Sequence, residues 1–248
     1  MHSRHNLLIT YSHKSPSLRT NKTLIWVNAF ALTLLALAGG CWQHVEEYCA
    51  GCTIIDYRQT VVPPPSPGTD TEVVLIHGAF GFGEEWSAVI AELKKTPGYS
   101  FFAWSWPGPF RNPPRTARAL GAELQALIDG LPETVQEVIV LAHSAGGLIT
   151  NLAARQLRVP RGRRVTVALL DPALRPTLAK KEAYLPLPPG VSMTLYFARD
   201  APKTSGKIAP PDPATATDLP REYVGDVGHN AMVAKVVLPL LAARRRKP

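Results

Sequence analysis

The sequence predicts an α/β protein: a mostly parallel, doubly wound sheet with helices on both faces and little or no cap domain. Three observations carry this. Short runs of β-branched and apolar residues alternate with segments of helical spacing from residue 72 onward. The clearest of them, "EVVLIHG" and "VIVLAHS", read as buried strands, as in a sheet covered on both faces. Several of them end on histidine, serine, aspartate or glycine, the residue types that gather at the carboxyl ends of such strands.

The elements follow in order. "EVVLIHG" is a short buried strand leading into a glycine-rich turn, and "EEWSAVIAELKK" places Trp86, Val89, Ile90 and Leu93 on one helical face. "YSFFAWSWPG" is a second strand. "PPRTARALGAELQALIDG" is a helix opened by prolines and closed by Gly130. "EVIVLAHS" is the third strand, followed by the helix "AGGLITNLAARQLR". "RVTVALLDPA", "SMTLYFARD" and the weaker "REYVGD" continue the strands, and a last helix covers about residues 230–243.

The chain ahead of this pattern has a different character. Residues 1–22 carry basic and no acidic groups, and residues 24–40 form an uncharged apolar run that ends in small residues before Cys41. That layout is a secretory signal, at the short edge of a membrane-spanning length. "LALAGGC" resembles the lipobox of bacterial lipoproteins, which implies lipidation at Cys41. Export through a lipid anchor, an uncleaved helix or a cleaved signal all fit. Cys49 and Cys52 are left for a small disulfide loop in an oxidising compartment, and with His44 they make a poor zinc site. Residues 61–72 are proline-rich and read as a semi-rigid spacer. The expected organisation is therefore a signal or anchor over 1–41, a linker over 42–70 and one catalytic domain over 71–248.

The formal net charge of +8 does not imply nucleic acid. Arg4, Lys14, Arg19 and Lys22 precede the apolar run, and Arg244, Arg245, Arg246 and Lys247 form the tail. Without these eight, 19 basic residues face 19 acidic ones. The body is neutral, so a nucleic-acid surface is not supported.

The chemistry centres on "AHSAGG", where Ser144 sits between a strand and a helix among small residues that permit a sharp turn. The motif resembles the nucleophile elbow of the α/β-hydrolase family, Gly-x-Ser-x-Gly, with Ala142 in place of the first glycine. "LIHGAFG" is similar to the oxyanion segment of that family's lipases and esterases. The resemblance spans roughly residues 72–243. It implies Ser144 as nucleophile and backbone N–H donors at Ala79 and Ala145. By the same resemblance His77 buttresses its loop, and the base comes late in the chain. His229 is the only histidine after residue 143, which makes it the expected base. His143 is expected to point away from the reaction, into packing or the cleft.

Two aspartates end strands beside the serine strand. Asp200 is the expected acid and Asp171 the alternative, while Asp226 belongs to a turn. Phe80, Phe82, Trp104, Trp106 and Phe110 are expected around the cleft or in the core, with Leu148 behind the serine. Residues 172–190 leave room for only a small cap. The expected activity is cleavage of a carboxylic ester, the substrate being an acyl ester or lipid-like molecule, through an acyl-enzyme and with no metal or cofactor. An amidase, peptidase or thioesterase on the same residues is the alternative, and so is a catalytically silent hydrolase-like binding protein. The expected location is outside the cytoplasm, on a membrane through the N-terminal segment.

Overall fold

In the computed structural model the described residues are 53–56, 65, 67–79, 84–106, 113–172, 186–197, 220–225 and 227–245. The apolar run, Cys41, Cys49 and Cys52 lie outside them, as do Phe80, Phe82, Phe110, Asp200 and Asp226. No described helix is long and apolar enough to cross a membrane.

Seven strands pair in parallel throughout. They are β1 Thr53–Asp56, β2 Thr71–Ile76, β3 Tyr99–Ser105, β4 Glu137–His143, β5 Arg164–Leu170, β6 Val191–Phe197 and β7 Arg221–Tyr223. Their order across the sheet is β1-β3-β2-β4-β5-β6-β7. The helices are α1 Ser87–Lys95, α2 Pro113–Gly130, α3 Ala145–Ala154 and α4 Met232–Arg245.

Alternation along β2 divides the core. Val74 and Ile76 pack on one face with Leu120, Leu124 and Ile128 of α2 and Ile149 and Leu152 of α3. Val73 and Leu75 pack on the other with Val89, Ile90 and Leu93 of α1 and Val233, Val236 and Val237 of α4. Two-residue periodicity in the strands thus meets helical periodicity in the layers on either side. Trp104 and Trp106 are buried within the first of these layers, which makes them core residues.

One element departs from the sequence reading. Thr53–Asp56 falls inside the expected linker, yet it forms the edge strand β1, paired Thr53↔Phe102 through Asp56↔Ser105. Four residues between cysteine-rich and proline-rich stretches are too few to show a period, so only pairing with β3 reveals the strand.

The strand order also locates a crevice. From β2 the chain moves outward to β3, then crosses back to β4 on the other side and continues outward through β5, β6 and β7. The direction reverses between β2 and β4, and the carboxyl ends of those two strands are where such folds place ligands.

Candidate active site

The turn after β4 holds Ser144 at φ 52°, ψ −120°, a conformation that costs a non-glycine residue about 1–3 kcal/mol. Its N–H extends the β4–β5 ladder to Leu170 O at 2.9 Å, and its carbonyl accepts from Gly147 N–H at 3.0 Å. The chain therefore passes from strand to helix within one residue, and the half-buried serine stands at the apex.

The small residues after it are there for close approach. A Cβ on Gly146 would lie 2.3 Å from His77 O, and one on Gly147 would lie 2.7 Å from Pro172 Cβ. The first turn of α3 is thus pressed on one side against the end of β2 and on the other against the residue after Asp171. Gly78 completes the arrangement, since a Cβ there would meet Ser144 Cβ at 3.1 Å. Ala145 opens α3, where an N–H has no intrahelical acceptor, and half-buried Ala79 follows Gly78.

His77 holds the β2 turn. Trp106 N–H donates to its Nε2 at 3.1 Å, so the ring proton sits on Nδ1, which donates to Gly78 O at 2.6 Å. Trp106 Nε1–H returns a bond to His77 O at 3.0 Å, and the two rings stack 5.7 Å apart. Burial lowers the His77 pKa to about 4, so the ring is neutral and fully used in bracing the loop.

His229 lies in the turn before α4. Its Nδ1–H donates to Asp171 Oδ2. This fixes the tautomer and leaves Nε2 as the lone-pair nitrogen. Asp171 directly follows β5, is buried, and takes φ 45°; with Ser144 it is one of two non-glycine residues of positive φ among the described residues. Its N–H donates to Tyr196 O at 2.8 Å, while Oδ1 is buried without a hydrogen-bond partner among the described residues.

The expected acid, Asp200, lies outside the described residues, and the Nδ1–H of His229 is engaged by the alternative, Asp171. Lateral position accounts for this contact. Strand β5 is the immediate neighbour of β4, so the residue after it stands next to the Ser144 turn, while β6 is one strand further away. Pro172 does not turn Asp171 away, because the aspartate itself makes the bend.

His143, expected in packing or the cleft, is buried with its ring against His229: its Nε2 lies 3.1 Å from His229 O and the two rings are 4.5 Å apart. The signal in the sequence was only its adjacency to Ser144. Among the described residues no hydrogen bond joins Ser144 Oγ to His229.

Comparison with known proteins follows the same lines. Residues 73–247 match the alpha/beta hydrolase family. Among solved structures, the chain is similar to inhibited esterase B from Lactobacillus rhamnosis, at 14% identity and a TM-score of 0.50 over 90% of this chain and 96% of that one. It is also similar to a hormone-sensitive lipase from a metagenome library, at 14% identity and a TM-score of 0.48 over 81% and 86%. The Pyrococcus furiosus esterase Pf2001 matches at 14% identity and a TM-score of 0.44 over 72% and 81%. No curated protein sequence matches. A family match over most of the folded chain, on a parallel sheet with a strained serine after its central strand, establishes that the chain belongs to the alpha/beta hydrolase family.

Proposed function

We propose that the protein is a serine hydrolase that cleaves carboxylic esters, with Ser144 as nucleophile, His229 as base and Asp171 as orienting acid. One observation carries the reading: the tautomer of His229, set by buried Asp171, leaves a basic Nε2 in the loop beside the strained Ser144 turn. Ser144 Oγ attacks the ester carbonyl carbon as His229 Nε2 takes its proton. The carbonyl oxygen becomes an oxyanion, for which the N–H groups of Ala79 and Ala145 are the donors, each worth about 3–4 kcal/mol in such a site. His229 then protonates the departing alkoxide, leaving an acyl-Ser144. Water, deprotonated by the same nitrogen, releases the acid and restores the serine. Catalytic hydrogen bonds of this kind are often long in the free enzyme and tighten on the substrate. Esterase B shares this fold, which makes esters the first substrates to test. The N-terminal 41 residues would export the domain and tether it to a membrane.

A fluorophosphonate should label the purified protein on Ser144. Ser144→Ala should abolish both labelling and hydrolysis of an acyl-ester panel while leaving the circular dichroism unchanged. Labelling on another serine in that variant sinks the assignment. A folded wild-type chain that neither labels nor hydrolyses any ester is a binding protein.

A further inference from the structure

His143 takes no part in the steps above, and its surroundings differ from those of a core histidine. It is 3% exposed. Its Nε2–H donates to the His229 carbonyl at 3.1 Å, 86 residues away along the chain. The two rings are tilted at 39° with centroids 4.5 Å apart. Because Nε2 holds the proton, Nδ1 is the lone-pair nitrogen. Among the described residues it is buried without a hydrogen-bond partner, and Glu85 Oε1 at 3.9 Å is beyond that reach.

Among the described residues, two hydrogen bonds tie His229 to other elements. One runs from its Nδ1 to Asp171 and the other from His143 to its carbonyl. The first constrains the ring's rotation. The second constrains where the main chain carries the ring. Asp171 and His143 stand at the ends of adjacent strands, and His143 shares a peptide bond with the nucleophile.

We propose that His143 is a positioning residue for His229: its Nε2–H holds the His229 main chain and its ring backs the imidazole. Base and nucleophile, which come from separate elements, are then placed by neighbouring residues of one turn. The inference rests on the hydrolase reading above for its catalytic consequence, but the contact it assigns is independent of substrate. A neutral ring suits the task, since a second cation would oppose the imidazolium that forms on His229. Burial, reinforced by electrostatic repulsion from the neighbouring His229, lowers the His143 pKa to about 3.

Three variants decide it. His143→Leu keeps the volume and removes the donor. His143→Gln carries an amide N–H near the position of Nε2, and His143→Asn carries one near Nδ1. A loop freed by a fraction of an ångström to one ångström should cost about 10²-fold in kcat, with KM unchanged. In His143→Leu that loss should appear together with broadening of the low-field proton resonance of the Asp171–His229 hydrogen bond, recorded without substrate. His143→Gln should recover both, and His143→Asn neither. A folded His143→Leu protein with wild-type kcat and an unchanged resonance overturns the proposal. So does equal behaviour of the Gln and Asn variants, a comparison that stands even if the Leu variant does not fold. Failure of the hydrolase reading is seen separately, as a wild type that accepts no fluorophosphonate, while the resonance still reports on His143.

Discussion

At the carboxyl edge of the sheet, Ser144 and Asp171 take positive φ, and His143 Nδ1 and Asp171 Oδ1 are buried without hydrogen-bond partners among the described residues. At the amino edge, the polar groups are densely paired. Glu137, at the start of β4, accepts from Arg164 Nη2 at 3.1 Å, from Thr166 Oγ1 at 2.9 Å and from Arg244 Nη1. Burial pushes its pKa up, but the hydrogen bonds from Arg164 and Arg244 outweigh this and hold it below the ordinary value. Arg163 spans the end of α2, donating to the carbonyls of Ile128, Leu131, Pro132 and Val135. One sheet thus carries strain and unmet polar groups at one end and satisfied ones at the other. Strain of about 1–3 kcal/mol per residue persists only where surrounding structure enforces it. Here Gly146 and Gly147 do so by packing against His77 and Pro172. The amino edge supplies stability and the carboxyl edge draws on it.

The largest effect that tests this contrast is at Asp171. If the bend at φ 45° exists to aim a carboxylate at His229, Asp171→Asn should lower kcat by roughly 10⁴-fold, because the amide favours the wrong imidazole tautomer. Asp200→Asn should leave turnover unchanged. Steady-state ester hydrolysis by the two variants measures this directly. The reverse result would return the acid to the strand beyond and leave the strain at Asp171 without a catalytic use.

Much of the contrast was legible in the residues, and what was not has a physical cause. Strands β2 and β4 announce themselves most clearly because a strand covered on both faces is apolar along most of its length, whereas the short β7, Arg221–Tyr223, carries two charged residues and reads weakly. Ser144 is legible because only small residues fit around a one-residue turn. Asp171 and Asp200 each follow a strand, and the chain order alone does not say which carboxylate will lie beside β4. That depends on the lateral order of strands and on a backbone angle, neither of which leaves a mark in composition. His143 was obscure for a similar reason, since its partner is a main-chain carbonyl on a distant loop. The strand β1 has only four residues, too few for a period.

Glu72 is the exception at the amino edge. It is buried on β2 opposite Ser100, and its Oε2 has no hydrogen-bond partner among the described residues. Burial raises its pKa from 4.5 to about 7, against a smaller lowering by the Ser100 hydrogen bond. The folded state therefore keeps a proton that the unfolded chain gives up near pH 4.5. The stability contributed by this proton is fully present below pH 4.5 and is lost as pH rises through about 7. The shift is worth roughly 3 kcal/mol. Urea unfolding across this range should show the wild type losing about that much relative to Glu72→Gln, whose neutral amide does not titrate. Parallel curves for the two proteins would mean that the carboxyl is ionised in the fold, and the amino edge would have no exception.

Arg163 gives the smallest effect and the sharpest separation of the two edges. A helix leaves its last four carbonyls without intrahelical donors, and at the end of α2 the chain turns directly toward β4. The Arg163 guanidinium reaches Ile128 O in the last turn, then Leu131 O, Pro132 O and Val135 O in the connection. Lysine presents one ammonium where arginine presents a planar fork, so Arg163→Lys keeps the charge and loses most of this geometry. Charge-assisted bonds of this kind contribute about 1.5–3 kcal/mol each when buried, but these are half-exposed and water replaces part of the loss. Arg163→Ala should therefore cost about 2 kcal/mol in unfolding free energy, and Arg163→Lys nearly as much. Neither should change kcat per folded molecule, because the site lies at the opposite ends of the same strands. Chemical denaturation and active-site titration with a fluorophosphonate measure the two quantities on one sample. A fall in kcat at full folding would show that the amino edge sets the geometry of the catalytic turns as well as the stability beneath them.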